Sequence, residues 1–150
     1  MPTPVPVGMS TSASKAFCDP APIGPTANTD RTGATGTLYT IKEAGTYGSY
    51  LTGVRLIATA TTVANAVRWY LVLTDASIHL LDETLITVAA PSTSLAGFST
   101  VWNPPAISGG TGFGQQAAIL IPAGATLKAG IEITPGADTP IVATAEGWDL

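Results

Sequence analysis

Hydrophobic residues in the central part of the chain have the spacing of β-strands. β-Branched, aromatic and aliphatic residues are dense in segments 50–60, 66–74 and 78–88, and short polar breaks separate these segments. Residues of these types favour strands, and no sustained 3.6-residue periodicity competes with them. The pattern predicts an antiparallel meander whose apolar faces need a second sheet to cover them.

The clearest alternation lies in segment 126–134. Leu127, Ala129, Ile131 and Ile133 would face one way, and polar residues would face the other. This is the pattern of a half-buried strand. Further strands are predicted within 37–44, 79–90, 97–103, 117–121 and 140–146, and the stretch 79–90 would be either one bent strand or two strands broken near Asp82 and Glu83. About eight such strands predict an all-β fold, a two-sheet antiparallel β-sandwich that is jelly-roll-like if the connections cross between sheets.

Residues 1–36 differ from the domain predicted for residues 37–150. They hold six of the twelve prolines, and proline fixes φ and removes a hydrogen-bond donor. An extended N-terminal arm is therefore predicted. Two interpretations stay open: a disordered tail, or an arm that becomes ordered on a partner. The second interpretation rests on five apolar anchors, Val5, Val7, Met9, Phe17 and Ile23.

Composition narrows the classes of partner. Only 11% of the 150 residues are charged, and six basic against ten acidic residues give a net charge of −4. The general attraction to phosphate backbones is missing, so nucleic acid is not expected as a partner. No apolar run approaches the roughly 18 to 20 residues of a membrane helix, and no signal peptide is recognised. Cys18 is the single cysteine, so we expect a soluble product made in a reducing compartment, with no intrachain disulfide.

No catalytic, cofactor or metal site is predicted, and the chain is not expected to be an enzyme. His79 is the single histidine, and no Gly-x-Ser-x-Gly elbow accompanies it. One Cys and one His cannot form a structural zinc site, and Asp82 and Glu83 lack the further oxygen ligands that calcium needs. Their expected role is a solvated break in a strand. The glycines between residues 109 and 114 precede no Lys-Ser/Thr, so they do not form a phosphate-binding loop.

The aromatic residues permit one alternative. Trp69 and Trp102 lie on strands in which apolar and polar residues alternate, and they are predicted to be core residues. Tyr47, Tyr50 and Phe113 are predicted at loop tips, where they are the candidate contacts for a partner. Exposed rings at such positions could stack on sugars, so a carbohydrate-binding module is an alternative.

Several segments from Gly48 onward carry a resemblance to a protein family. They are Gly48-Ser49-Tyr50-Leu51, Val67-Arg68-Trp69-Tyr70-Leu71, Leu80-Leu81-Asp82-Glu83, Ala90-Pro91-Ser92, Trp102-Asn103-Pro104-Pro105 and Leu120-Ile121-Pro122-Ala123-Gly124. With these segments the chain resembles small β-sandwich virion structural proteins of tailed bacteriophages. The likeness covers about two-thirds of the chain and lies in fold motifs. The proline-rich arm and the glycine-rich insertion depart from the pattern.

The resemblance implies a capsid decoration, or cement, protein on a shell of the HK97 type. Its implied partners are the major capsid protein and further copies of itself in a homotrimer, and its implied location is the capsid surface of the virion after synthesis in the host cytoplasm. A tail or fibre component that contacts the host surface is the alternative within the virion.

Overall fold

A computed structural model gives the fold for residues 15–92, 97, 99–104, 118–134 and 141–150. Within these ranges the chain forms nine β-strands and no helix. The strands are β1 (Lys15–Ile23), β2 (Tyr39–Glu43), β3 (Ser49–Ala58), β4 (Asn65–Val72), β5 (Ile78–Ile86), β6 (Ser99–Trp102), β7 (Ile119–Ile121), β8 (Thr126–Ile131) and β9 (Ile141–Asp149). The predicted all-β class is confirmed.

The strands form two antiparallel sheets with jelly-roll connections. One sheet has the order β1-β9-β3-β6, and β7 pairs with the end of β3 beside β6. The other sheet has the order β2-β8-β4-β5. Consecutive strands β1 and β2, and again β2 and β3, lie in different sheets, so the chain crosses between layers as a jelly roll requires. The predicted two-sheet sandwich is therefore correct.

The core lies between the two sheets and consists mainly of the side chains that point inward at every second position of the strands. Leu127, Ala129 and Ile131 of β8 are fully buried, as the alternation predicted, whereas Ile133 lies beyond the strand and is exposed. Trp69 and Trp102 are buried, and their rings stack with centroids 4.6 Å apart and an interplanar angle of 11°. Because the two rings come from different sheets, the stack joins the layers on the side of the sandwich where β5 and β6 are the edge strands.

The N-terminal boundary of the body differs from the prediction. Residues 15–23 lie inside the segment predicted as an arm, yet they form β1, which pairs with β9 over nine residues. Ile23 is fully buried and Phe17 packs against the core, so neither residue is an anchor left free for a partner. β1 is an edge strand, a position that tolerates the missing donors of Pro20 and Pro22. The core interactions of the body therefore begin by Phe17, well before residue 37.

The stretch around Asp82 and Glu83 takes the first of its two predicted forms, a single strand, and the alternative of two strands is wrong. β5 is one continuous strand with a bulge, because the pairing with β4 shifts register between Trp69 and Tyr70. Both acidic side chains have partners within the body: Asp82 accepts a hydrogen bond from Nε1 of Trp102, and Glu83 forms an ion pair with Arg68. The register shift is accommodated by a bulge within β5, and not by a break in the strand.

Candidate interaction surface

The outward side of the five-stranded sheet is a broad surface of exposed and half-buried side chains in the described part of the chain. We call it the open face and define it by three cross-strand rows with Cys18 and Glu146 between the first two. The rows are Ala16, Trp148, Tyr50 and Leu120; Pro20, Thr144, Arg55 and Val101; and Pro22, Val142, Ile57 and Ser99. Residues in register on neighbouring strands point to the same side of a sheet, and the intervening rows hold buried residues such as Leu56 and Ala143. The rows therefore form one surface.

The open face is apolar and electrically balanced. Val101 is 50% exposed, Leu120 39% and Ile57 37%. The rings of Tyr50 and Trp148 pack side by side with centroids 5.8 Å apart. Among the residues that define the face, the charged ones are Arg55 and Glu146, whose Nη2 and Oε1 atoms lie 3.5 Å apart. The face consequently offers apolar contact area with no net charge.

Part of the outward side of the four-stranded sheet is covered by the chain itself. Residues 24–38 connect β1 to β2 across it, and the backbone amide of Asn28 donates to the carbonyl of Ile131 at 2.7 Å. Tyr70 is fully buried beneath this connection and its hydroxyl donates to the carbonyl of Arg31 at 3.2 Å. Burial raises the pKa of Tyr70 above its ordinary value, because it penalises the phenolate. At the edge of the same side, Leu80 and Leu85 of β5 stay exposed.

Arg68 fixes this covering connection to the sheet. Its buried guanidinium reaches Glu83 at 2.8 Å, Glu132 at 3.0 Å and the carbonyl of Asn28 at 3.2 Å. Burial acts to lower the pKa of Arg68, but the two glutamates outweigh it and the pKa is raised. The hydrogen bond from Arg68 in turn lowers the pKa of Glu83. A buried charge needs such partners. No pattern in the sequence predicted that these residues would meet.

Within the connection, Asp30 organises a tight local turn. Its two carboxylate oxygens accept hydrogen bonds from the backbone amides and hydroxyls of Thr32 and Thr35. These bonds, led by the Thr32 hydroxyl, hold the pKa of Asp30 far below its usual range. The carboxylate is therefore occupied in shaping the turn.

A second polar cluster joins the two sheets at one end of the sandwich. Lys42 of β2 is 9% exposed, and its Nζ lies 3.1 Å from Asp19, 3.2 Å from Asp149 and 3.9 Å from the centroid of the Phe17 ring. Ser49 donates to Asp149. Burial acts to raise the pKa of Asp149, but the bonds from Ser49 and Lys42 lower it overall. The cluster ties β1, β2, β3 and β9 together as an ion-pair network.

The lone histidine belongs to a surface turn. Nε2 of His79 lies 3.2 Å from Oγ of Ser77, and that hydroxyl donates to the carboxylate of Asp75 at 2.6 Å. In a hydrolase triad the acid binds the histidine and the histidine binds the serine, so the order of partners is different here. Both contacts are exposed and lie at the turn between β4 and β5 or at the start of β5. The hydrogen bonds from Ser77 lower the pKa of Asp75.

The predicted contact residues fall in different places. Tyr47 is 71% exposed in the turn before β3, as predicted. The predicted loop-tip position of Tyr50 is wrong, because Tyr50 lies within β3 and pairs with Trp148 of β9 on the open face. Val5, Val7, Met9 and Phe113 lie outside the described residues. A smaller apolar groove of about 540 Å³ lies beside the end of β5, where Leu85, Val88 and Ile133 are exposed. The rows of the open face were missed from the sequence because their strand register is set only by tertiary pairing.

The described ranges hold neither a cluster of metal ligands nor a membrane-spanning helix. No group of three or more His, Cys, Asp or Glu side chains in the described ranges is arranged to hold a metal ion. The same part of the chain contains no helix of the length and hydropathy needed to cross a membrane.

Comparison with known proteins adds no family to this picture. No family model matches the chain, no curated protein is significantly similar to it, and no solved structure matches it.

Proposed function

We propose that this chain is a bacteriophage virion structural protein, a capsid decoration (cement) protein that binds the outside of the major capsid shell and stabilises it. The observation that carries the proposal is the open face, which is apolar and charge-balanced, whereas residues 24–38 cover part of the opposite outer face. Contiguous exposed apolar patches of this kind mark protein contact sites. The resemblance described above supplies the virion context.

The architecture suits a protein that is held in place by many weak contacts. A shell presents the same site many times, so modest contacts act together. The body has the Trp69–Trp102 stack and the Lys42 network to join its sheets, which favours a rigid unit. Residues 1–14 precede β1 and include Val5, Val7 and Met9, and in this proposal they add apolar contacts with the shell or with sister subunits.

Add-back to bare shells tests the proposal. Shells assembled from the major capsid protein of the same phage would be mixed with the purified chain and sedimented, and their melting followed by calorimetry. We expect saturable co-sedimentation and a higher melting temperature of the shell. A chain lacking residues 1–14 would keep its fold and bind less. Absence of co-sedimentation by the intact chain contradicts the proposal, and a copy number in virions far below that of the major capsid protein would favour a tail or fibre component.

A carbohydrate-binding module is the second candidate, favoured by the aromatic pair of Tyr50 and Trp148 on the open face. It requires glycan binding by the isolated protein that is lost in Tyr50→Ala or Tyr47→Ala. Absence of binding on a broad glycan array removes this candidate.

A further inference from the structure

We infer that the open face is where one copy of this chain contacts a second copy. The inference deepens the proposed function, since it rests on the self-association that the function includes, and it assigns a contact between two copies to this surface. Three observations carry it: the size of the face, the distribution of charge around it, and the way in which every strand edge is blocked.

The size of the face approaches what a specific contact between copies needs. Four strands at about 4.8 Å spacing and nine residues at about 3.3 Å rise give a projected area of roughly 600 Å². Specific interfaces bury about 800 Å² of accessible surface per partner, and accessible area exceeds projected area on a surface with protruding side chains. A face of this size lies at the upper end of the largest patches that monomers expose, and such patches are often functional.

Charge does not oppose the approach of two copies through the open face. The chain carries ten acidic and six basic residues, so identical molecules carry a net repulsion. Arg55 and Glu146 account for one charge of each sign on the open face, which leaves nine acidic and five basic residues elsewhere. When two copies meet through this face, Arg55 of one can approach Glu146 of the other. Such reciprocal exchange is the property of a two-fold, self-complementary interface, so the inferred contact joins pairs of copies and is distinct from the cyclic contacts of the homotrimer that the resemblance implies.

The edges of both sheets are blocked against pairing with another copy. Pro20 and Pro22 remove donors from β1, and β5 has a bulge and an inward-pointing carboxylate at Asp82. β6 and β7 have only four and three residues, and β2 has five residues and its own register shift. Short strands, prolines, bulges and inward charges are the features that prevent edge-to-edge pairing. The open face has no comparable barrier, so self-association would occur through a face and not by extending a sheet.

Sedimentation of the purified full chain tests the inference in the presence of a reductant, which excludes disulfides through Cys18. We expect the wild type to associate reversibly at micromolar concentrations. Val101→Lys places a charge at the end of the middle row of the face and also lowers the net negative charge, so weaker association could not come from added overall repulsion. We expect at least a tenfold increase in the dissociation constant. Val88→Lys is the matched control, since it makes the same change at an exposed site off the face, and it should leave association unchanged.

A charge swap provides a test that does not depend on one substitution. Arg55→Glu and Glu146→Arg should each weaken association, and the double variant should restore it, because the swap regenerates opposite charges at both positions. Circular dichroism would confirm that each variant is folded. A wild type that stays monomeric above 100 μM overturns the inference, as does an associating wild type that Val101→Lys and the single charge variants leave unaffected. Because only the isolated chain is used, either failure leaves attachment to shells as a separate question. If a monomeric chain bound shells and lost that binding on Val101→Lys, the open face would belong to the shell.

Discussion

Replacing Ile23 by alanine measures whether β1 is part of the folded body. Ile23 is fully buried and closes the core opposite Ile141, its partner in β9. Truncating a fully buried isoleucine to alanine removes apolar contact and leaves a cavity, which together cost about 2–5 kcal/mol. Domains of this kind have a total stability of only about 5–15 kcal/mol. The substitution is therefore expected to remove a large part of the free energy of unfolding.

The assay is urea unfolding followed by tryptophan fluorescence, with the free energy extrapolated to water. Cys18→Ala lies in the same strand but changes an exposed side chain, and surface substitutions usually change stability by less than about 0.5 kcal/mol. We expect a lower midpoint for Ile23→Ala and a nearly unchanged midpoint for Cys18→Ala. If Ile23→Ala unfolded within 0.5 kcal/mol of the wild type, residues 15–23 would behave as a free arm and the assignment of β1 to the body would be wrong.

Three further predictions follow from specific contacts. Gly147→Ala should destabilise the fold by about 1–3 kcal/mol in urea unfolding, since a Cβ there would overlap the carbonyl oxygen of Tyr50. In the control Gly53→Ala, the added Cβ meets its nearest neighbours at 3.5 Å, so the free energy of unfolding should change little. Equal losses in the two variants would contradict this prediction. The free energy of unfolding should fall below about pH 4. The carboxylate of Asp149 has a lowered pKa in the fold, so it stabilises the fold above its unfolded pKa of 3.8 and loses that contribution as it is protonated. Asp149→Asn should therefore give a shallower fall, and an equal fall would show that the Lys42 network is unimportant. Ala76→Gly should raise the unfolding temperature slightly, since Ala76 has a φ of 64° that costs a non-glycine residue free energy, and a lower temperature would argue against that strain.

Local patterns in the sequence determined the fold class. Alternation in segment 126–134 identified β8 and its buried residues, because side chains on a strand point alternately to opposite faces. Trp69 and Trp102 were identified as core residues for the same reason. Each of these conclusions needs only neighbours in the chain, so no tertiary information was required.

The tertiary structure decided which surfaces are free. Proline content made residues 15–23 look like part of an arm, but a sheet edge accepts proline, so β1 could pair with β9 from the far end of the chain. The open face exists because Tyr50, Trp148 and Leu120 are brought into one row by pairings between residues about 70 to 100 positions apart. Arg68 met Glu83 and Glu132 in the same way. Alternation tells which side of a strand is buried, whereas register and coverage depend on distant segments, and only the folded chain brings those together.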